Sequence, residues 1–240
     1  FFGIGYFTSN LYWISISLTF DESFKFLIPL TIILIPAFLA LFYGLASYLF
    51  LILKPKENLS SFFLFSLIFG IIEFIRGSIL TGFPWNLIAY SFSNQTEILY
   101  IISIIGTYSF NLFCISLFTS PSIFILRKNK KEIIVSCLFL IMAFSFYVFG
   151  SKRLEKFNNI DANKLNYKVR VVSSNVSIDR FYQDTDPTSV INDLVKISSP
   201  KVDEKTIFIW PEGILPQISK DQLKEYKFLF ENKFNENHLL

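Results

Sequence analysis

FLIPLTIILIPAFLALFYGLASYLFLIL, residues Phe26–Leu53, runs for 28 positions without one Asp, Glu, Lys or Arg. About 20 apolar residues are enough to cross the roughly 30 Å hydrocarbon core of a bilayer. A helix that is apolar on every side belongs in lipid or in a large core, so this stretch predicts a membrane span. Working outward, four more stretches qualify or nearly do: Phe1–Phe20, Leu59–Leu80, Ile98–Leu126 and Ile133–Gly150. The expectation is five spans. Charge divides the chain at the same place. Residues 1–150 hold 8 Lys/Arg and 6 Asp/Glu, whereas residues 151–240 hold 14 and 13. An ordinary soluble domain is about one quarter charged; the second part conforms and the first does not. A single soluble globule, a disordered chain and a disulfide-rich miniprotein are excluded. The net charge of +3, nearly balanced in each part, gives no reason to expect a nucleic-acid partner.

The predicted architecture is a multi-span α-helical membrane domain, residues 1–150, then a linker, 151–166, then the start of an α/β domain, 167–240. Phe1 opens the chain without a basic n-region or a small-residue cleavage site, so the first span is not read as a signal peptide. The chain is expected to be an internal piece of a longer protein. Basic residues orient it. Lys54 and Lys56 lie between the second and third spans, and Arg127, Lys128, Lys130 and Lys131 between the fourth and fifth; the alternate loops hold Lys25 alone. The positive-inside rule puts the basic loops in the cytoplasm and residues 151–240 on the far side.

In the tail, Tyr167–Asn175 alternates polar and apolar residues and predicts a half-buried strand. Pro187–Ser198 has helical spacing, Thr206–Trp210 is a second strand stopped by Pro211, and residues 219–234 look helical again. Strand–helix–strand–helix implies an α/β sandwich. Two strands in 90 residues leave open edges, so the domain is expected to be incomplete.

Three places carry candidate chemistry. Glu212 follows Ile207-Phe208-Ile209-Trp210-Pro211, at the carboxyl end of a strand, where open α/β sheets form their crevice. Packed beside Trp210 it would be partly desolvated and suited to general-base work. Thr81-Gly82-Phe83-Pro84-Trp85 forms a turn whose Phe83, Pro84 and Trp85 either anchor at the membrane interface or line an opening for a lipid chain. Glu73 and Arg76 stand three apart in an apolar helix; they form an ion pair, or Arg76 meets a lipid phosphate. Cys114 and Cys137 lie inside predicted spans and read as packing residues, and His238, the one His, reads as solvated. No metal site is expected, and no Walker, G-x-G-x-x-G or G-x-S-x-G motif is present.

The order Glu73-Phe74-Ile75-Arg76-Gly77, Leu80-Thr81-Gly82-Phe83-Pro84-Trp85, a span with Gly106 and Asn111, then Trp210-Pro211-Glu212 with Pro216 following, resembles the apolipoprotein N-acyltransferases. The resemblance covers about Phe2 to Pro216. It implies an external nitrilase-like α-β-β-α sandwich and an enzyme of the bacterial inner membrane, with residues 151–240 periplasmic. It implies transfer of a fatty acyl group from a phospholipid donor, through a Cys thioester, to the α-amine of a diacylglyceryl-cysteine apolipoprotein acceptor, without a cofactor. Glu212 matches the family's general base. Only Glu212 carries over from the family; Arg76, Phe83, Pro84, Trp85, Tyr182 and Trp210 are the candidate substrate-binding residues, and the family's Lys and Cys are expected beyond Leu240. Ser173-Ser174-Asn175-Val176-Ser177-Ile178 stands where the family usually has Gln-x-Asn-Ile-x-Gln, and Phe181-Tyr182 about where it has Lys-Trp. Gly213 replaces a small hydroxyl residue after the Glu. A membrane-anchored amidase and a non-catalytic membrane scaffold are the alternatives.

Overall fold

The computed structural model describes residues 1–79, 82–126, 129–160, 167–173, 186–215, 218–219, 221–231 and 233–239. Two compact units divide it, Phe1–Asn159 and Ile160–Leu240. The first is helical. Its described elements are α1 (Phe2–Leu11), α2 (Ile28–Leu53), α3 (Asn58–Ser78), the short α4 (Thr96–Leu99) and α5 (Ile102–Ile105), α6 (Thr107–Ile125) and α7 (Lys130–Asn158). Among the described residues four helical segments are long and apolar enough to cross a membrane: Glu22–Leu53, Asn58–Ser78, Thr107–Ile125 and Lys130–Asn158.

The expected first span is not one continuous α-helix. After Leu11 the chain tightens into 3₁₀ turns over Tyr12–Thr19. The hydroxyls of Ser15, Ser17 and Thr19 each donate to the carbonyl three residues back, at 2.6–2.7 Å. Such side chains compete with the i→i−4 ladder and favour the tighter turn. The expected fourth span is also divided. Gly106 takes φ +79°, a conformation open to glycine, and separates α5 from the continuous α6. In contrast, the helix expected to end at Gly150 continues to Asn158, into the first half of the stretch expected to be a linker. Lys152-Arg153-Leu154-Glu155-Lys156 contains good helix formers and no Gly or Pro, so the change in composition marks a change of solvent and not a helix end.

α1 lies along α2, α2 along α3, α3 along α6, and α6 along α7. Phe7, Leu11, Leu39 and Tyr43 form one buried cluster with Phe69 and Phe83 against it. Leu87, Ala89, Ile98, Phe110, Phe113 and Cys114 form another, covered by Phe139 and Phe146 of α7. Cys114 is buried as expected, whereas Cys137 is exposed on the surface of α7 and is not a packing residue. Exposed Leu41, Leu51, Ile134, Leu140 and Phe144 give the bundle the apolar exterior of a protein bathed in lipid.

Among its described residues the second unit has three parallel strands in the order β1 (Lys168–Val171), β2 (Thr206–Ile209) and β3 (His238–Leu239), with α8 (Pro187–Ser198) following β1 and preceding β2 in the chain. Val190, Leu194, Val172 and Ile214 build its core. The polarity of β1 is the reverse of a simple alternation. Val169 and Val171 are exposed, while Arg170 turns inward over the Phe208 ring and donates to the Ser198 and Ser199 carbonyls at 2.6 and 2.8 Å. These are the last carbonyls of α8, which lack helical partners and welcome a cation. The helix expected over 219–234 is broken into a 3₁₀ turn, Gln222–Tyr226, and a single turn α9, Phe228–Glu231. The third strand was not expected at all. His238 is held in it, with Nδ1 accepting from the Asn235 N–H and Nε2 against the Lys201 carbonyl, both at 3.0 Å.

Gly150 sets how closely α4 approaches α7, because a Cβ there would overlap the Glu97 carbonyl oxygen. Gly150→Ala should destabilise the protein by about 1–3 kcal/mol through overpacking. Gly44→Ala, where a Cβ meets nothing, should leave stability unchanged or raise it by up to about 1 kcal/mol. Thermal unfolding of the two variants in detergent checks both; equal effects would refute the close contact.

Candidate functional site

Glu73 and Arg76 both lie on α3, one turn apart, and their side chains are completely buried. Arg76 Nη2 donates to Glu73 Oε2 at 2.9 Å. Its Nη1 donates to the carbonyls of Phe83 and Trp85, each at 2.9 Å. The guanidinium therefore ties the end of α3 to the loop that follows it. Phe7 of α1 stacks under the guanidinium, 5.4 Å from ring centre to Cζ. Of the two roles open to Arg76, the geometry favours the internal ion pair: the group is committed to the loop's backbone and has no exposed surface. The buried Glu73 Oε1, Arg76 Nε and Tyr43 hydroxyl make no hydrogen bond among the described residues.

The loop is shaped by glycine and proline. Gly82 has φ +80°, and a Cβ there would press on the Gly77 carbonyl oxygen at 2.5 Å. Asn86 also takes a positive φ, 59°, a conformation Asn tolerates better than most residues. Phe83 turns inward against the Phe7–Tyr43 cluster. Trp85 stays half-exposed, with its ring 5.1 Å from that of Trp13 and 6.3 Å from that of Phe83. Leu80 and Thr81 lie outside the described residues.

Two clefts flank this loop. One, of about 730 Å³, is lined by Tyr6, Pro84, Trp85, Leu87, Tyr90 and Phe118 among others. Burial pushes the Tyr90 phenol up, so it stays a neutral hydroxyl at physiological pH. The other, of about 430 Å³, runs between Leu34, Phe38, Leu39, Ile79 and Phe83. Both have the size and apolar lining of small-molecule sites.

Two residues that hold the loop were not singled out as site residues from sequence. The Tyr6 hydroxyl donates to the Asn86 carbonyl at 3.1 Å, and Asn111 Oδ1 accepts from the Ala89 N–H at 2.9 Å. The available signal was a hydroxyl and an amide inside otherwise apolar helices. Gly77 has a packing role as well, since a Cβ there would overlap the Tyr108 hydroxyl of α6.

In the second unit Glu212 stands where expected, two residues beyond Trp210 and after the central strand β2. Its side chain is exposed, so the expected desolvation by Trp210 is not present. Trp210 is anchored instead: its Nε1–H donates to Ser198 Oγ at 2.9 Å and its ring lies 5.7 Å from Phe230. Gly213 follows with φ +65°, which a serine or threonine there would adopt only under strain. Tyr182, Pro216 and the Asn175 segment fall outside the described residues. Among the described residues no group of three or more His, Cys, Asp or Glu could hold a metal.

Residues 1–120 match the family model described as the apolipoprotein N-acyltransferase N-terminal domain. The chain is 30% identical over 227 residues to an apolipoprotein N-acyltransferase of Rhodopseudomonas palustris, which covers 90% of this chain and 41% of that protein. It is 28% identical over 222 residues to the protein of that name from Brucella melitensis, covering 90% and 41%. For the one from Rhizobium meliloti the identity is 28% over 228 residues, covering 92% and 42%. The chain thus spans about two-fifths of the length of these relatives. With a family domain matched over half its residues and a helical bundle built to cross a membrane, the chain belongs to the apolipoprotein N-acyltransferase family.

Proposed function

We propose that this chain is the membrane domain and the beginning of a nitrilase-like catalytic domain of an enzyme that N-acylates lipoproteins in the bacterial inner membrane. Residues 151–240 lie on the periplasmic side, because the basic loops share the opposite end of the bundle. The observation that carries the reading is the Phe83-Pro84-Trp85 loop, pinned by Arg76 between two apolar clefts large enough for acyl chains. Phe83, Pro84 and Trp85 form the surface over which the donor phospholipid's chain passes, and Arg76 is a positioning residue for that surface. Tyr182 and Trp210 are assigned to the acceptor side of the catalytic domain.

The chemistry is acyl transfer in two steps. Glu212 takes the proton of a Cys thiol, and the thiolate attacks the ester carbonyl of the donor. The carbon–oxygen bond to glycerol breaks, the lysophospholipid leaves with a proton, and a thioester remains. The free α-amine of the acceptor's diacylglyceryl-cysteine then attacks that thioester; the carbon–sulfur bond breaks and the thiol is regenerated. A Lys ammonium holds the developing oxyanion in each step. We assign that Cys and that Lys to the part of the relatives' length that this chain does not span. Cys114 and Cys137 belong to the apolar helices α6 and α7 and are not the nucleophile. Glu212, placed on a loop at the end of the central strand, is accessible to both partners.

In the full-length enzyme, Glu212→Gln should lower acyl-enzyme formation by about 10²–10⁴-fold, with membrane insertion unchanged. Thioester trapping from a labelled phospholipid measures it, and normal acyl-enzyme would refute the role. Release of an amine or ammonia from an amide substrate, without acylated lipoprotein, would favour the amidase. Trp85→Ala should raise KM for the donor by about tenfold, equivalent to 1.4 kcal/mol, with little change in thermal stability; unchanged donor kinetics would leave Trp85 a membrane anchor. Arg76→Met should cost about 3–5 kcal/mol by stranding Glu73, and Glu73→Gln combined with it should restore part of that. If Arg76 positions the loop, the double variant keeps a raised donor KM at near-normal kcat. Loss of kcat alone would refute positioning.

A further inference from the structure

At the other end of α3 from the Phe83–Trp85 loop lies a cleft of about 700 Å³ that the acyl-transfer reading does not use. Its floor is apolar and comes from three helices: Phe50 of α2, Phe62 and Phe65 of α3, and Ile123 of α6. Lys54 and Lys56 stand at its rim, both exposed, with Lys54 Nζ 5.9 Å from the Phe50 ring centre. The Asn58 side-chain amide donates to the Leu126 carbonyl at 2.8 Å, which fastens the first turn of α3 to the end of α6 and closes one side. The wall hydroxyls are already used. Ser61 donates to the Pro55 carbonyl, Ser122 to the Thr119 carbonyl and Thr119 to the Ile115 carbonyl.

The cleft thus offers an apolar trough and two ammonium groups at its mouth, with its hydroxyl donors turned inward. Glu57 is the nearby carboxylate in sequence, exposed and accepting from the Ser60 hydroxyl at 3.2 Å. Glu132 is buried and caps its own helix by accepting from the Asn129 N–H. Lys130 and Lys131 add positive charge at the same end, so the balance there is cationic. Helix ends lie at the depth of lipid headgroups, and basic pockets between helices suit anionic ones.

We propose that this cleft is a binding site for an anionic phospholipid of the adjoining leaflet, with an acyl chain on the phenylalanine floor and the headgroup phosphate between Lys54 and Lys56. A zwitterionic headgroup would bring its own cation against the two lysines. Free phosphate would leave the floor unused. The proposal rests on the membrane placement of the bundle and is independent of the role of Glu212.

Native mass spectrometry of the purified protein in detergent tests it, using phosphatidylglycerol and phosphatidylcholine of identical chains. Phosphatidylglycerol adducts should exceed phosphatidylcholine adducts by about tenfold. Lys54→Gln combined with Lys56→Gln should abolish the preference, and Ser122→Phe should lower occupancy with both lysines intact by filling the trough. Lys130→Gln combined with Lys131→Gln should leave the preference unchanged. Equal retention of the two lipids overturns the proposal. So does equal loss on removing either lysine pair, which would mean diffuse attraction, or displacement of the lipid by millimolar inorganic phosphate, which would mean a headgroup site alone.

Discussion

The buried Glu73–Arg76 pair is the constraint on which the membrane unit is organised. Two charges taken out of water are expensive, and their mutual attraction offsets that cost only when the remaining donors are also engaged. Arg76 meets much of that condition by donating to Glu73 and to two carbonyls of the loop after α3, while its Nε and Glu73 Oε1 make no hydrogen bond among the described residues. Its planar fork makes these bonds from two nitrogens at once, which a lysine's single ammonium does not reproduce. The Phe7 ring and the neighbouring Tyr43 close the space around it. One side chain thus sets the position of α1, the end of α3 and the backbone of the Phe83–Trp85 loop together. The clefts on either side of that loop are where they are because the loop cannot move without taking both carbonyl acceptors from a buried guanidinium nitrogen.

Much of this was legible in the residues. The long apolar runs gave α2, α3 and α7, because length and absence of charge leave few other readings. The ion pair was legible from its spacing. Hidden was what depends on a single backbone torsion or on a local hydroxyl. Gly106 cuts an apolar run that hydropathy reads as continuous, and Ser15, Ser17 and Thr19 tighten another into 3₁₀ turns while looking neutral in composition. The continuation of α7 past Gly150 was missed because charge content was taken as a boundary of structure. It marks a boundary of solvent only.

The soluble unit shows a different limit. Pro187–Ser198 has the pattern of a helix and is one, with Asp186 accepting from the Thr188 N–H at its start. In β1, however, the inward residue is Arg170 and the outward ones are Val169 and Val171, since the carbonyls at the end of α8 need a donor more than the sheet needs another valine. Alternation marks a strand without telling which face is covered. Glu212 was proposed from Trp210-Pro211-Glu212 at the end of a strand; its exposure was not foreseen, because packing around a loop depends on elements distant in the chain.

The parallel order β1-β2-β3 bears on how the second unit is assembled as the chain is made. Parallel neighbours cannot be joined by a tight hairpin and must wait for a crossover segment. Val169 finds Ile207 only after 37 further residues have emerged, and Ile207 finds Leu239 after another 31. Each pairing closes a large loop, which costs entropy before it returns any contact and makes such sheets slow to form. Among the described strands β2 is paired on both sides, with β1 made before it and β3 made after it, so its surroundings are complete only once β3 has emerged. The carboxylate that follows it therefore reaches its final surroundings late in folding, when the chain on both flanks has already been delivered.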